Sequence, residues 1–247
     1  MNYTLKNKRA LVTGGSRGIG AAIVKRLATQ GADVAFTYIS SPDRAKEIAE
    51  AIQAFGVQAL DIQANSAEAN EVVAAVEQTV EKFGGINIFV NNAGVVQMAP
   101  IDDFTLADFD RTFAINVRAV FVATQAAVKH MQEGGRIINI GSTSAERVSF
   151  AGGSVYAMSK SALQGLVQGL ARDLGPRGIT INNVQPGPIA TDINPPEGEF
   201  AEMLKKQLAL PRYGTVEEVA GMVAYLAGSE AAYITGANLM IDGGFSA

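Results

Sequence analysis

The sequence predicts an α/β fold, a doubly wound parallel β-sheet of about seven strands with helices on both faces. Short runs rich in β-branched residues alternate with longer segments in which apolar residues recur at helical spacing. The strand-like runs are apolar nearly throughout, which is typical of parallel strands buried on both faces. The 247 residues contain no internal repeat and no linker, so one domain is expected over 1–247.

The predicted elements alternate along most of the chain. Strands are expected at 9–13, 33–38, 57–63, 86–92, 136–142, 179–185 and 237–242. A first helix should carry Ile19, Ile23 and Leu27 on one face, and further helices are expected at 42–55, 68–83, 105–131, 156–174 and 215–228. Two adjacent prolines and a glycine interrupt the segment 194–214, and a substrate lid is expected at about 190–213.

Composition excludes several classes of function. The formal net charge is −4 with no block of like charges, which argues against nucleic acid or an anionic membrane as a partner. The chain has no cysteine, so thiolate chemistry and cysteine-bound zinc are excluded, and no metal site is expected. The single histidine, His130, lies where a predicted helix ends and fits a solvated cation better than a catalytic base. No apolar run approaches membrane length, and a cytoplasmic location is expected.

A glycine-rich turn follows the first predicted strand. The stretch LVTGGSRGIGAAI places Gly14, Gly18 and Gly20 between that strand and the first helix. Glycine lets the backbone approach a phosphate closely, and the helix N-terminus offers unbonded N–H groups and a positive potential. The turn therefore predicts a pyrophosphate site on a Rossmann-like sheet. Other residues of the turn expected to contact the dinucleotide are Ser16, Arg17 and Ile19.

The spacing of this turn, Thr-Gly-x-x-x-Gly-x-Gly, resembles that of the short-chain dehydrogenase/reductase family. The likeness spans nearly the whole chain and includes five further motifs in the family's order: NNAG (91–94), INV (115–117), IGS (140–142), YAMSK (156–160) and PGPIAT (186–191). Within this family the chain resembles the 3-oxoacyl-[acyl-carrier-protein] reductases and carbonyl reductases. The resemblance implies reversible reduction of a ketone to a secondary alcohol by hydride transfer from a nicotinamide cofactor.

The resemblance also implies roles for four residues. Tyr156 is expected to give a proton to the substrate carbonyl, and Lys160 lies on the same helical face four residues later. A phenol has a pKa of about 10, and the nearby ammonium is expected to lower it towards the working range. By resemblance, Lys160 also hydrogen-bonds the nicotinamide ribose. Ser142 is expected to hold the carbonyl oxygen, and Asn116 is expected to anchor a water in a proton relay.

Three neighbouring residues of one short loop could supply the hydroxyl group that holds the carbonyl oxygen. Ser142 lies fourteen residues before Tyr156, one more than is common in the family, so Thr143 and Ser144 compete for its role. Ser142 is preferred because it directly follows the strand RIINIG, where the family serine lies.

The end of the second strand indicates which nicotinamide nucleotide is preferred. Proteins that select NAD usually place an acid there to bind the ribose hydroxyls, whereas this strand ends in FTYISS with Tyr38 at that position. No carboxylate is present to repel a 2′-phosphate, and Arg17 offers a planar cation suited to phosphate. Ser40 and Ser41 add hydroxyl groups nearby. These features favour NADP(H).

Further cofactor contacts are expected at the carboxyl ends of other strands, where open α/β sheets bind ligands. By resemblance, Asn65 and Ser66 should line the adenine pocket, although relatives commonly carry an Asp-Val pair there. The remaining expected contacts are Asn92, Ala93 and Gly94 after the fourth strand, and Pro186, Gly187, Ile189 and Thr191 in the PGPIAT motif.

The substrate pocket is expected to be mainly apolar, which favours an uncharged ketone of modest size. Its candidate residues are Val95, Val96, Gln97, Met98, Glu146, Arg147, Phe150, Gln185 and Pro188. Glu146 and Arg147 could instead bind a polar substrate or pair with each other at the rim.

Two more expectations come from resemblance. Relatives form homotetramers through helices that correspond to 105–131 and 156–174 and through the last strand. The segments GSTSAERV and GLARDLGPRGITINNVQPGPIATDINP also resemble a bacterial branch of the family described as binding cyclic di-GMP in biofilm dispersal. The alternative function is therefore a cyclic-di-GMP-binding regulatory protein on the same scaffold.

Overall fold

The centre of the molecule is one seven-stranded sheet. The computed structural model describes residues 4–247. All strand pairs are parallel, in the order β3-β2-β1-β4-β5-β6-β7. The strands are β1 (Arg9–Val12), β2 (Asp33–Tyr38), β3 (Ala59–Gln63), β4 (Ile88–Asn91), β5 (Arg136–Ile140), β6 (Thr180–Pro186) and β7 (Asn238–Ile241). The predicted fold class is confirmed.

Helices cover both faces of this sheet. They are α1 (Gly18–Thr29), α2 (Pro42–Gln53), α3 (Ala69–Phe83), α4 (Leu106–Phe113), α5 (Ala119–Ala127), α6 (Ser154–Leu174), α7 (Glu199–Lys205) and α8 (Val216–Ala227). Of these, α6 begins two residues earlier than predicted, and α7 forms inside the segment expected to be a lid.

The predicted helix 105–131 is wrong in its continuity. A π-helical turn, Ala114–Arg118, separates α4 from α5, and the Ala119 N–H donates to the Ala114 carbonyl five residues earlier. The extra residue in this wider turn changes the direction of the side chains that follow, and such turns occur often at functional sites. The turn contains Asn116. His130 lies beyond the end of α5, and its Nε2 is 3.1 Å from Glu77 Oε1.

The strands bury side chains on both faces, as their apolar sequences predict. In β1, Ala10 and Val12 belong to one apolar cluster, in which α1 packs against α8. Leu11 points to the opposite cluster, in which α3 packs against α5. This alternation follows from the two-residue period of a strand. The two clusters fix the sheet rigidly beneath the loops at its carboxyl edge.

The strand order reverses at β1, which has β2 on one side and β4 on the other. The chain after β1 leads to α1 on one face of the sheet, and the chain after β4 leads to the other face. A crevice therefore opens between these two loops at the carboxyl edge, the usual ligand site of an open α/β sheet.

Two negative findings apply to residues 4–247. None of the helices in this range has both the length and the apolar composition needed to cross a membrane. The same range contains no group of three or more His, Asp or Glu side chains that could hold a metal ion.

Candidate active site

The glycine turn after β1 is held by the neighbouring strand β2. Gly14 and Gly18 have positive φ values of +68° and +53°, which other residues rarely adopt. The Gly14 N–H donates to Thr37 Oγ1 at 2.9 Å, and the Gly15 N–H donates to the Thr37 carbonyl at 2.8 Å. These contacts fix the path of the turn into the N-terminus of α1.

Gly20 allows α1 to pass close to the same turn. A Cβ atom at Gly20 would lie 2.1 Å from the Gly14 carbonyl oxygen and 2.5 Å from Asn92 Nδ2. Neither distance is compatible with a side chain. The conformation of Gly14 and the missing side chain of Gly20 therefore create a backbone cradle at the start of a helix, which suits an anionic phosphate.

Asn92 joins the loop after β4 to this cradle. Its Nδ2 donates to the carbonyl oxygens of Thr13 at 2.9 Å and Gly14 at 3.0 Å. The backbone N–H groups of Asn92 and Ala93 both donate to Thr13 Oγ1 at 3.0 Å. The two sides of the crevice are thus tied together at its base, and Asn92, Ala93 and Gly94 lie along it.

The second strand ends in a tyrosine rather than an acid. Tyr38 ends β2, Ser40 is exposed, and Ser41 is the residue before α2. Arg17 precedes α1 in an extended conformation and is exposed. None of the ion pairs found within residues 4–247 involves Arg17. Its guanidinium is therefore available to a ligand at the cradle.

Asn65 and Ser66 lie where the chain leaves β3. The Asn65 Oδ1 accepts from the Ala67 N–H at 3.0 Å, and its own N–H donates to Glu71 Oε2 at 2.8 Å. The Asn65 side chain therefore shapes the turn into α3, and its oxygen already has a partner there.

The PGPIAT segment crosses from β6 towards the glycine turn. A Cβ atom at Gly187 would lie 2.7 Å from the Asp242 Cα, so only glycine allows this close approach to the chain after β7. Ile189 is buried, and the Thr191 Cγ2 lies 3.6 Å from the position of a Cβ atom at Gly18. Arg44 on α2 forms a 3.1 Å ion pair with Asp192, a contact that no local sequence signal indicates.

Lys160 lies inside α6 and reaches the end of β5. Its side chain is buried, and Nζ donates to the Ile140 carbonyl at 2.9 Å. Burial lowers the pKa of Lys160 to about 8, because the charged ammonium loses solvation. The amine therefore changes charge close to physiological pH.

Tyr156 does not show the lowered pKa that the sequence suggested. Burial raises the pKa of Tyr156 above its ordinary value of 10.0, and a hydrogen bond with the Ser142 side chain offsets part of this increase. The Lys160 Nζ lies 5.9 Å from the centre of the Tyr156 ring and hydrogen-bonds to Ile140. The loss of solvation around the phenolate thus outweighs any attraction to the lysine in this arrangement.

Ser142 has the best geometry of the three candidate hydroxyl residues. It is buried at the end of β5, its Oγ accepts from the Ser144 N–H at 3.1 Å, and its hydroxyl group lies near enough to Tyr156 to lower the pKa of the phenol. Thr143 is also buried and begins the short 3₁₀ turn Thr143–Ala145. The geometry therefore favours Ser142, while its role stays a prediction.

Asn116 links the π turn to both sides of the site. Its Oδ1 accepts from the Val95 N–H and its Nδ2 donates to the Val95 carbonyl, each at 2.9 Å. The Nδ2 also donates to Ser159 Oγ at 3.0 Å, and Ser159 Oγ donates to the Tyr156 carbonyl at 2.7 Å. Both hydrogens of the Asn116 side-chain amide are therefore used. A relay water could bind to Asn116 only by donating a hydrogen bond to one of its oxygen atoms.

A cavity of about 60 Å³ lies beside Tyr156. Its lining residues are Val96, Met98, Ser144, Arg147, Val148, Ser149, Phe150, Gly153, Tyr156 and Phe245. Of the predicted pocket residues, Val96, Met98, Arg147 and Phe150 take part, whereas Val95, Gln97, Glu146, Gln185 and Pro188 do not line it. Sequence reasoning missed Phe245, which reaches the site only through folding of the C-terminal segment.

Glu146 and Arg147 do not pair with each other. The Glu146 Oε1 accepts a hydrogen bond from Gln164 Nε2, whereas Arg147 Nη1 donates to the Phe245 carbonyl. Arg147 therefore lies on the cavity side of the loop. A larger groove of about 800 Å³ on the surface of α4 and α5 shares no lining residue with this cavity. Tyr156 lines only the smaller of the two.

Comparison with known proteins agrees with this arrangement. Residues 14–246 match the family described as enoyl-(acyl carrier protein) reductase. The chain is 50% identical over 240 residues to the cyclic-di-GMP-binding biofilm dispersal mediator protein of Escherichia coli K12, covering 97% of this chain and 98% of that protein.

Two solved structures are similar over nearly the full length. A short-chain dehydrogenase/reductase from Serratia marcescens has a TM-score of 0.98 and 61% identity, covering 99% of this chain and 100% of the other. A short-chain dehydrogenase from Burkholderia cenocepacia in complex with NADP has a TM-score of 0.97 and 54% identity. The match covers 99% of this chain and 100% of the other. The chain therefore belongs to the short-chain dehydrogenase/reductase family and is an oxidoreductase of that family.

Proposed function

We propose that this protein uses NADP(H) to reduce a ketone to a secondary alcohol, reversibly. The observation that carries the proposal is the convergence of Ser142, Tyr156 and Lys160 at the end of β5, beside the crevice that the glycine turn opens. A phenol, a hydroxyl group and an amine in one partly desolvated site are suited to holding a carbonyl oxygen and moving a proton to it.

The residues present fit the dinucleotide. A side chain at Gly20 would push α1 away from the Gly14 carbonyl, so the glycine keeps the start of α1 close to the turn that would hold a pyrophosphate. Gly14, Ser16, Gly18, Ile19 and Gly20 would hold the phosphates, and Arg17, Tyr38, Ser40 and Ser41 would surround a 2′-phosphate. The Burkholderia relative, crystallised with NADP, supports the choice of the phosphorylated nucleotide.

The other predicted cofactor contacts are proposed for the two ends of the dinucleotide. Asn65 and Ser66 would lie at the adenine, and Asn92, Ala93 and Gly94 would follow the adenosine and the centre of the molecule. Pro186, Gly187, Ile189 and Thr191 would close over the nicotinamide, while Tyr156 and Lys160 would contact its ribose. When bound, the reduced cofactor supplies a hydride to the carbonyl carbon.

The protein's own residues control the proton. Tyr156 stays protonated at neutral pH because its pKa is raised, so the proton needed by the carbonyl oxygen is already on the phenol. The Ser142 hydroxyl donates a hydrogen bond to the same oxygen and stabilises its developing negative charge. The ammonium of Lys160 favours the phenolate that remains after transfer, and Asn116 fixes the loop at Val95.

The test is an activity screen of the purified protein over ketones, 3-oxoacyl thioesters and secondary alcohols with NADPH and NADH. NADPH-dependent turnover of at least one carbonyl compound supports the proposal. A complete lack of turnover with every substrate and both cofactors contradicts it.

A second candidate function is a cyclic-di-GMP-binding regulator. The name and 50% identity of the Escherichia coli relative favour it. Calorimetry with cyclic di-GMP and with NADPH separates the two functions. Tight binding of cyclic di-GMP without turnover of any carbonyl compound favours the regulator, and binding of NADPH alone favours the enzyme.

A homotetramer is also proposed. Leu106 on α4 and Phe121 on α5 expose 81% and 48% of their surface, and Tyr233 before β7 is fully exposed. Large apolar side chains in such positions often belong to interfaces between subunits. Light scattering should give about four times the chain mass of 25.8 kDa, and a monomer at micromolar concentration contradicts the assembly.

A further inference from the structure

An arginine that is exposed to solvent forms part of the wall of the cavity beside Tyr156. Arg147 and Tyr156 line the same space of about 60 Å³. Arg147 Nη1 donates to the main-chain carbonyl of Phe245, and the guanidinium carbon lies 5.3 Å from the centre of the Phe245 ring. The ring itself is buried, with 5% of its residue surface exposed. The hydrogen bond and the cation–π contact together orient the guanidinium in the cavity wall.

This cation has no anionic partner within the described range. No carboxylate oxygen in residues 4–247 lies within 4.0 Å of its nitrogen atoms. The adjacent Glu146 accepts from Gln164 instead. A guanidinium is planar, and pairs of its N–H donors match the two oxygens of a carboxylate. The contact with the Phe245 carbonyl uses only part of that capacity.

A second polar group in the same wall lacks a partner. The Ser149 Oγ is buried and makes no hydrogen bond, although Ser149 lines the cavity. A buried hydroxyl group without a partner is unfavourable unless a ligand satisfies it. Most of the other lining side chains are apolar, namely Val96, Met98, Val148, Phe150 and Phe245, and Ser144 adds one more hydroxyl group. The wall is therefore mostly apolar, and Arg147, Ser144 and Ser149 are its polar members besides Tyr156.

We propose that the substrate is a short oxo acid, with a carboxylate bound by Arg147 and Ser149 and its ketone at Tyr156. This inference rests on the proposed function and deepens it. The size of the cavity favours a compact molecule, because sites for drug-sized ligands have volumes of about 300–1,000 Å³. An apolar pocket alone suggests an uncharged ketone, but a cation without a counter-ion favours an anion within the same pocket.

The test compares acids with their own methyl esters. Wild-type protein and Arg147→Gln are assayed with NADPH on 2-oxo and 3-oxo acids of short chain length and on the matched esters. For the acids, Arg147→Gln should lower kcat/KM about tenfold or more, because a charge-assisted hydrogen bond is lost. For the esters, kcat/KM should change by less than about threefold. Arg147→Lys should restore part of the activity on acids, and Ser149→Ala should affect acids more than esters.

Arg177→Gln is the matched control. The Arg177 guanidinium also donates to a main-chain carbonyl, that of Val128, but it does not line the cavity. Its removal should leave the ratio of acid to ester activity unchanged. Thermal unfolding of each variant shows whether the fold is kept. If Arg147→Gln does not fold, competitive inhibition of ester reduction by short carboxylates, compared with the matched amides, decides in the wild-type protein.

The reductase function and the carboxylate site can be disproved separately. If no acid, ester or other carbonyl compound is turned over with NADPH, the proposed reductase function is wrong. If esters or neutral ketones are turned over and Arg147→Gln affects acids and esters equally, the carboxylate site is wrong while the reductase function stands. Failure of carboxylates to inhibit more strongly than amides would also overturn the carboxylate site.

Discussion

The ammonium of Lys160 donates a hydrogen bond to the main-chain carbonyl of Ile140 at 2.9 Å. This bond ties α6 to the last residue of β5 and holds a buried cation beside the Tyr156 ring. The sequence spacing indicated that Tyr156 and Lys160 share a helical face. It gave no indication that the lysine would bond to the sheet, which places the amine under the ring and next to Gly94.

Removal of the Tyr156 hydroxyl should stop catalysis without preventing cofactor binding. We expect Tyr156→Phe to lower kcat about 100-fold or more, the usual contribution of a general acid. NADPH binding, followed by its fluorescence, should change little because the ring is kept. Tyr225→Phe, at an exposed position on α8, is the control and should keep full activity. Undiminished turnover by Tyr156→Phe would falsify the assigned role.

The pH profile of reduction should report Lys160. The active form needs a protonated Tyr156 and a charged Lys160. Tyr156 keeps its proton as the pH rises past neutrality because its pKa is raised, whereas Lys160 loses its proton as the pH rises through about 8. At saturating NADPH, kcat/KM should therefore be level below about pH 8 and should decrease above it.

Lys160→Gln provides the comparison for this profile. Glutamine is neutral at every pH, so the variant should be slow and should show no decrease near pH 8. Circular dichroism checks that it is folded. A wild-type profile that stays level well above pH 8, or a break that persists in Lys160→Gln, contradicts the assignment to the lysine.

Gly20→Ala should disturb the phosphate cradle. Its Cβ would lie 2.1 Å from the Gly14 carbonyl oxygen, so the turn and α1 must separate. We expect the free energy of unfolding to decrease by about 1–3 kcal/mol, a typical cost of overpacking, and NADPH affinity to decrease as well. Urea denaturation and NADPH titration measure the two effects.

Gly221→Ala is the matched control for this substitution. Gly221 lies inside α8, and a Cβ there would meet no atom within 4 Å. Alanine should raise the free energy of unfolding by about 0.5–1 kcal/mol, because glycine is unfavourable inside a helix. If both alanine variants behave alike, the steric explanation of Gly20 is wrong.

Cofactor preference should depend on Arg17 and Tyr38. Arg17→Gln removes the cation proposed for the 2′-phosphate and should raise KM for NADPH about tenfold, with little effect on KM for NADH. Tyr38→Asp adds a carboxylate at the end of β2 and should shift the preference towards NADH. Initial rates with both nucleotides test this, and equal changes in the two KM values would contradict the proposed phosphate site.

The order of elements was readable from the sequence because each one repeats a local period. Apolar runs such as 136–142 and the four-residue spacing of Ile19, Ile23 and Leu27 each predict one element without reference to the rest of the chain. The glycine turn was also predictable from the sequence. Glycine adopts positive φ values easily, and Gly14 and Gly18 have them.

Tertiary structure alone decided the interior of the site. The π turn around Asn116 depends on contacts with Val95 and Ser159, which lie in other parts of the chain. The raised pKa of Tyr156 depends on burial, which no spacing of residues reveals. Arg147 meets Phe245 across 98 residues of sequence.

What the sequence by itself determined was the alternation of strands and helices, the nucleotide-binding turn and the family motifs, because these depend on neighbours along the chain. Packing decided which side chains lose contact with water and which charges lack a counter-ion. It also decided how the C-terminal segment meets the loop after β5. Solvation and electrostatics depend on everything that surrounds a group in space, and a linear pattern does not contain that information.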